Sequence, residues 1–277
     1  MSLTSDFTII IPTRGRVGKQ RTLGKLPGEF REQAFLLAPL EEIKSHPGVP
    51  VICAPGNIEE KGISYLRQWV TDYLSAMREI DSNHILVFMD DDLIFGRRYV
   101  KSVPMLKTSN EYDIFCMLEE VTGENSPLHV NQALVGVSHR PANRSMERDG
   151  IAQRQMQFHA FKPAVFRRHG IKWDKMPLME DFSVTLQCLT KGLSNLVMCE
   201  YTLDQNGSNQ PGGCSRYRTL EMQGLAAFAL QEAYPDFVTV KEKKTVWKEG
   251  FPDTRYDVTV YWKKAYKWGL ENNKHAL

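Results

Sequence analysis

Residues 84–93, His-Ile-Leu-Val-Phe-Met-Asp-Asp-Asp-Leu, constrain this chain more than any other stretch: an apolar run stops abruptly at three carboxylates. A run of that length without alternating polar residues fits a strand buried on both faces, as in a parallel sheet. Open α/β sheets bind ligands beyond the carboxyl ends of such strands. Asp90, Asp91 and Asp92 therefore stand where chemistry is usual. Three adjacent acids repel one another, so a fold that orders them is expected to bring a cation. Oxygen ligands suit Mg²⁺ or Mn²⁺, which commonly hold substrate phosphates as well. The plainer reading is an acidic turn that starts a helix, where Asp is favoured as a cap.

Upstream, Phe7-Thr8-Ile9-Ile10-Ile11 is β-branched and apolar, and Pro12-Thr13-Arg14-Gly15-Arg16 stops it, which predicts a first buried strand running into a basic, Gly-containing loop. No G-x-x-x-x-G-K-[ST] and no G-x-G-x-x-G occurs, so the kinase, P-loop NTPase and dinucleotide-enzyme readings fall away. Arg14, Arg16, Lys19 and Arg21 crowd together just past the strand, where such a cluster holds phosphates or stacks on a base, or is simply a solvated loop. Residues 33–38 and 50–54 read as two further strands, giving the βαβ pattern of a parallel sheet. Ile63, Leu66, Val70, Leu74 and Met77 recur at helical spacing and predict a helix over 62–78. Arg67 lies off that stripe, either at the surface or within reach of a nucleotide.

Residues 119–157 read as loops, the place for acceptor-binding segments. Residues 157–161 return to strand character. His139 and His159 are candidate metal or phosphate contacts, though a lone His is more often structural. Glu180 and Asp181 open a segment in which Phe182, Thr185, Leu186 and Leu189 repeat at helical spacing before a Lys191-Gly192 stop, so both acids start a helix. As a cap they are worth about 0.5–2 kcal/mol; as a general base held at a fixed corner, one of them is worth roughly 10²–10⁴ in rate. Residues 204–215 are polar and Gly-rich and lead to Arg216 and Arg218, which can close on phosphates. A helix over 219–233 and a hairpin turning near 250–253 follow. The tail Trp262-Lys263-Lys264-Ala265-Tyr266-Lys267-Trp268 interleaves cations with aromatics as nucleic-acid surfaces do, and amphipathic packing explains it nearly as well.

Composition narrows the class. A 277-residue chain with 42% hydrophobic residues buries a full core, and a formal net charge of +2 provides no global drive toward nucleic acid or membrane, so any basic surface is local. Cys53, Cys116, Cys188, Cys199 and Cys214 are odd in number and form no C-x-x-C pair, which favours reduced thiols in a cytoplasm over disulfides or zinc. No apolar stretch reaches the roughly 20 residues of a membrane helix, and no secretory leader is expected.

Ile-Ile-Pro-Thr-Arg at 10–14, Met-Asp-Asp-Asp at 89–92 and Met-Glu-Asp at 179–181, taken in order, resemble a GT-A nucleotide-sugar glycosyltransferase over roughly residues 7–235. Together with Gly-Ile-x-x-x-Arg-Gln-Trp at 62–69, they are also similar to phage-encoded glycosyltransferases proposed to modify hydroxymethylated bases in DNA. The resemblance implies an α/β, Rossmann-like, mostly parallel sheet flanked by helices over 1–235, with a β-rich extension over 236–277. It implies that Asp90 and Asp92 are the D-x-D acids, with Asp92 on a divalent metal and Asp90 on the donor ribose or the metal. Pro12, Thr13, Arg14, Arg67, Asp91, Arg216 and Arg218 would face the nucleotide, and Asp181, beside Glu180, would be the base of an inverting transfer. A UDP-sugar is the expected donor and hydroxymethylated DNA a candidate acceptor, in a host cytoplasm if the enzyme is phage-encoded. Two other readings stand beside it, a nucleotidyltransferase of sugar phosphates and a non-catalytic nucleic-acid-binding module.

Overall fold

The computed structural model describes residues 6–77, 83–99, 106–143, 148–205, 219–247 and 251–273. Its centre is a 10-stranded sheet in the order β3-β2-β1-β4-β9-β7-β10-β5-β6, with β8 also paired to β10. The strands are β1 (Phe7–Pro12), β2 (Ala34–Leu37), β3 (Val51–Ile52), β4 (Ile85–Met89), β5 (Leu93–Arg98), β6 (Leu106–Thr108), β7 (Gln132–His139), β8 (Gly150–Ile151), β9 (Phe158–Phe161) and β10 (Ser194–Gln205). β1 pairs parallel with both β2 and β4, in register Thr8↔Leu86, and β7 pairs parallel with β10. Antiparallel β9 joins these two parallel groups, pairing Val87↔Ala160 on one side and Val135↔Ala160 on the other. Only β5, β8 and β9 oppose the common direction, so the α/β class and the dominant parallel sense follow the sequence expectation.

The apolar runs form strands because both sheet faces are covered. Along β1, Ile9 and Ile11 enter one core with Val87, Met89 and Ile114, Met117 and Leu118 of the helix Glu111–Thr122. Ile10 points the other way, joining Phe88 and Val70 and Leu74 of the helix Ile63–Met77. The same face carries Val184 and Cys188 of the helix Glu180–Thr190, which ends at Lys191 with Gly192 at φ 77, a conformation glycine adopts freely.

Residues 119–157 depart from expectation: they contain β7, whose Ala133 to Ser138 are all buried. The run is interrupted by Gly136, a poor strand former, but a Cβ there would lie 2.8 Å from the Gln155 side chain that crosses it. The hairpin expected near 250–253 is β11 (Val238–Trp247) with β12 (Phe251–Val260), in register Trp247↔Phe251. The basic-aromatic tail is helical, Trp262–Asn272. It packs with the helix Leu220–Ala233 and the hairpin against the outer side of the helix Glu180–Thr190, through Phe182, Leu186, Leu189, Leu230, Phe237, Val238 and Ala265. No helix among the described residues is long and apolar enough to cross a membrane.

Candidate active site

The carboxyl ends of β1, β4, β7 and β10 all reach one edge of the sheet, and the acids gather there. β4 ends at Met89, and the turn that follows is pinned by Thr22, in the first turn of the short helix Arg21–Lys25 beyond β1. Thr22 Oγ1 donates to the Asp90 carbonyl at 2.5 Å and accepts the Leu93 amide at 3.0 Å, while its own amide donates to the Asp91 carbonyl at 3.1 Å. The backbone of all three acids is thereby fixed without using a carboxylate.

The three side chains have separate fates. Asp91 is buried at 6% exposure, with Thr13 Oγ1 donating to Oδ2 at 2.6 Å and Arg16 Nη1 on Oδ1 at 2.5 Å. Burial raises the Asp91 acid above its ordinary range, against the pull of Thr13 and Arg16. Arg16 also reaches Asp92 Oδ2 at 2.9 Å. Although burial works against the charged form, the two carboxylates raise the Arg16 pKa further. Asp90 turns the other way, toward Arg67 Nη2 at 3.4 Å. Its side chain keeps 35% of its surface. Even so, desolvation, opposed by Arg67 but aided by Asp92, Asp91 and Glu180, pushes its acid up to about 7.

Arg67 joins the two acid clusters. The residue is 3% exposed, and its guanidinium packs over the rings of Trp173 and Phe88 at 5.4 and 5.7 Å and donates from Nη1 to Glu180 Oε1 at 2.9 Å. Glu180 and Asp181 start their helix after Met179, which sits in the left-handed region at φ 61. That corner sends the two acids apart. Glu180 faces Arg67, whereas Asp181 Oδ2 accepts from Arg154 Nε and Nη2 at 3.2 and 3.0 Å.

Among the described residues, no set of three or more His, Cys, Asp or Glu side chains converges as a ligand cage. A Mg²⁺ or Mn²⁺ bound to nucleotide phosphates needs only one or two carboxylates, with phosphate and water supplying the rest. Asp90 and Asp92 fit that form. Desolvation is the main cause of the raised Asp90 acid, and Asp92, Asp91 and Glu180 add to it against Arg67; a cation would favour the charged carboxylate.

The profile of the family described as "TET-Associated Glycosyltransferase" matches residues 7–213, which take in the whole ten-stranded sheet and both acid clusters. The chain belongs to this family. It is therefore a glycosyltransferase. No curated protein matches the chain at a significant level. Among solved structures, CMP:2-keto-3-deoxy-manno-octonic acid synthetase complexed with CTP is similar at 12% identity and a TM-score of 0.40, over 82% of this chain and 100% of that one.

Within this TET-associated glycosyltransferase the residues singled out from sequence have the following contacts. Asp91, expected at the nucleotide, has both oxygens on protein partners and acts as a brace. Thr13, expected against the base, is the other half of that brace, and Arg67 spans Asp90 and Glu180. Pro12 closes β1, and half-buried Arg14 follows at the same edge. Arg216 and Arg218, with most of the Gly-rich loop, lie outside the described residues. His159 is buried: at 1% exposure it packs against Trp173 at 5.2 Å, and burial, with Arg67 and Arg154, lowers its pKa well below the ordinary value. His139 ends β7 half-buried, its pKa also lowered by burial. Sequence reasoning missed Thr22 and Arg154, whose partners lie 68 and 27 residues away with no periodic pattern to announce them.

Proposed function

We propose that this glycosyltransferase moves a sugar from a nucleoside-diphosphate sugar, in the first instance a UDP-sugar, to the hydroxyl of a hydroxymethylated base in DNA, with inversion. The observation that carries the reading is the split of the acid pair at Met179: Glu180 is tied through Arg67 to Asp90, and Asp181 is held apart by Arg154. One cluster suits the diphosphate and the other the acceptor. Asp92 and Asp90 are assigned to a divalent cation, which when bound supplies positive charge to the diphosphate. Thr13 and Arg14 lie beside the nucleotide. Arg154 holds Asp181 by Oδ2, which leaves Oδ1 to take the acceptor proton. The acceptor oxygen then bonds to the anomeric carbon, and the carbon–oxygen bond to the diphosphate breaks with its electron pair leaving on the nucleoside diphosphate.

The test is a pair of variants measured for donor binding and turnover. Asp181→Asn should bind donor and Mn²⁺ nearly as the native protein does while kcat falls by roughly 10²–10⁴. Asp92→Asn should lose metal-dependent donor binding first. Near-native kcat in Asp181→Asn, or a loss of donor affinity as deep as that of Asp92→Asn, would remove the base from this scheme.

A further inference from the structure

The family match ends at residue 213, yet the chain continues through a hairpin and a helix whose first turn returns to the acid pair. Asp181 is held by Arg154 at 3.0 Å, the Arg154 guanidinium lies 3.9 Å over the Phe182 ring, and Phe182 stacks on Trp262 with centroids 5.8 Å apart and planes at 27°. An unbroken cation–aromatic file thus runs from the proposed base to the start of the helix Trp262–Asn272. Tyr261, next to it, is 47% exposed, and Trp268, two turns on, is 44% exposed. Lys263 and Lys267 are exposed on the same helix, Lys267 pairing only loosely with Glu271 at 3.9 Å. Residues 236–277 hold nine Lys and Arg against six Asp and Glu, an excess of three in a chain whose total is +2, so the rest of the molecule is close to neutral and the positive excess lies in the extension.

We infer that this extension is one wall of the acceptor site, where Trp262 and Tyr261 offer a stacking platform for a nucleobase and the lysines of the helix hold the flanking phosphates. The inference rests on the function proposed above and names the surface that binds its acceptor. A base must leave its stack for chemistry on its substituent, and the unstacking is offset when the base finds another aromatic face. Charge complementarity selects the occupant: a polyanion meets the basic extension, where the positive excess of the chain lies.

The experiment measures binding of two mixed-sequence single-stranded oligonucleotides, one carrying 5-hydroxymethylcytosine and one unmodified, by native protein, Trp262→Ala, Trp262→Phe and the double variant Lys263→Glu/Lys267→Glu. Trp262→Ala should weaken binding about 10-fold or more, with Trp262→Phe recovering most of it, because stacking needs an aromatic ring and not an indole. The double variant should flatten the dependence of log Kd on log salt by about 0.7 for each strand phosphate it releases. Melting temperatures accompany each variant, and the exposed lysine pair carries the test if Trp262→Ala fails to fold. Native-like affinity in a folded Trp262→Ala, or an unchanged salt slope in the double variant, would overturn the inference. Titration of native protein with UDP-glucose and Mn²⁺ separates the two claims. Absence of donor binding brings down the proposed function itself, whereas donor binding with DNA affinity blind to both variants brings down only the platform.

Discussion

Asp90 is the residue at which burial and charge compete most openly, and its environment has a measurable consequence. Its acid is raised from 3.8 to about 7, chiefly by desolvation. A folded-state pKa above the unfolded one means that the folded protein holds the extra proton. The associated stability is complete below about pH 4 and is lost as pH rises through about 7. Metal-free protein should therefore melt at progressively lower temperature between about pH 4 and about pH 7, and Asp90→Asn should flatten that trend. Parallel profiles for the two proteins would show that the strain lies elsewhere, Asp91 being the neighbour raised in the same direction. Arg67 is the counterweight. Because it and Glu180 are both buried, removing the guanidinium would strand a carboxylate, a loss of roughly 3–5 kcal/mol. The three Asp residues were plain in the sequence, but which of them is braced by which partner was not, since partners such as Thr13 and Arg16 are set by the path of a loop and not by spacing.

Among elements, the helix Glu180–Thr190 carries the most, with Val184 and Cys188 turned to the sheet and Phe182, Leu186 and Leu189 turned to the extension. Its apolar residues made it legible from sequence, as did the long helix before β4. The helix Trp262–Asn272 was not legible. Its pattern of lysines and aromatics fits a surface of any kind, and the feature that seats it is Gly269, whose added Cβ would lie 2.0 Å from the Leu189 carbonyl and 2.6 Å from the Gly192 amide. Two backbones meet there with no room for a side chain. Gly269→Ala should consequently destabilise by about 1–3 kcal/mol, seen as a lower melting temperature, even though alanine is the better helix former in isolation. A gain in stability would mean that the helix is not seated as tightly as the contact implies. β7 was hidden for a related reason, since Gly136 breaks its strand pattern to make way for Gln155.

At the scale of the whole molecule, the candidate site is assembled from residues far apart in the chain: Thr13, Arg67, Asp90 and Glu180 meet at one sheet edge. A donor that bridges them stabilises the fold as a unit. UDP-sugar with Mn²⁺ at 100 times its Kd should contribute about 2.7 kcal/mol, read as a raised melting temperature, and Asp92→Asn should abolish the shift. The α/β class was legible because parallel strands advertise themselves as unbroken apolar runs; the mixed order of the sheet was not, because β9 pairs with β4 and β7 through contacts that no local pattern encodes. That inserted strand has a consequence in time. As the chain is synthesised, both partners of β1 are made by residue 89, but the far edge of β4 has no partner until 158–161 is made, and β5 has only β6 until β10 follows. For much of its synthesis the nascent enzyme thus exposes bare strand edges of apolar residues, the surface on which chaperones and aggregation compete.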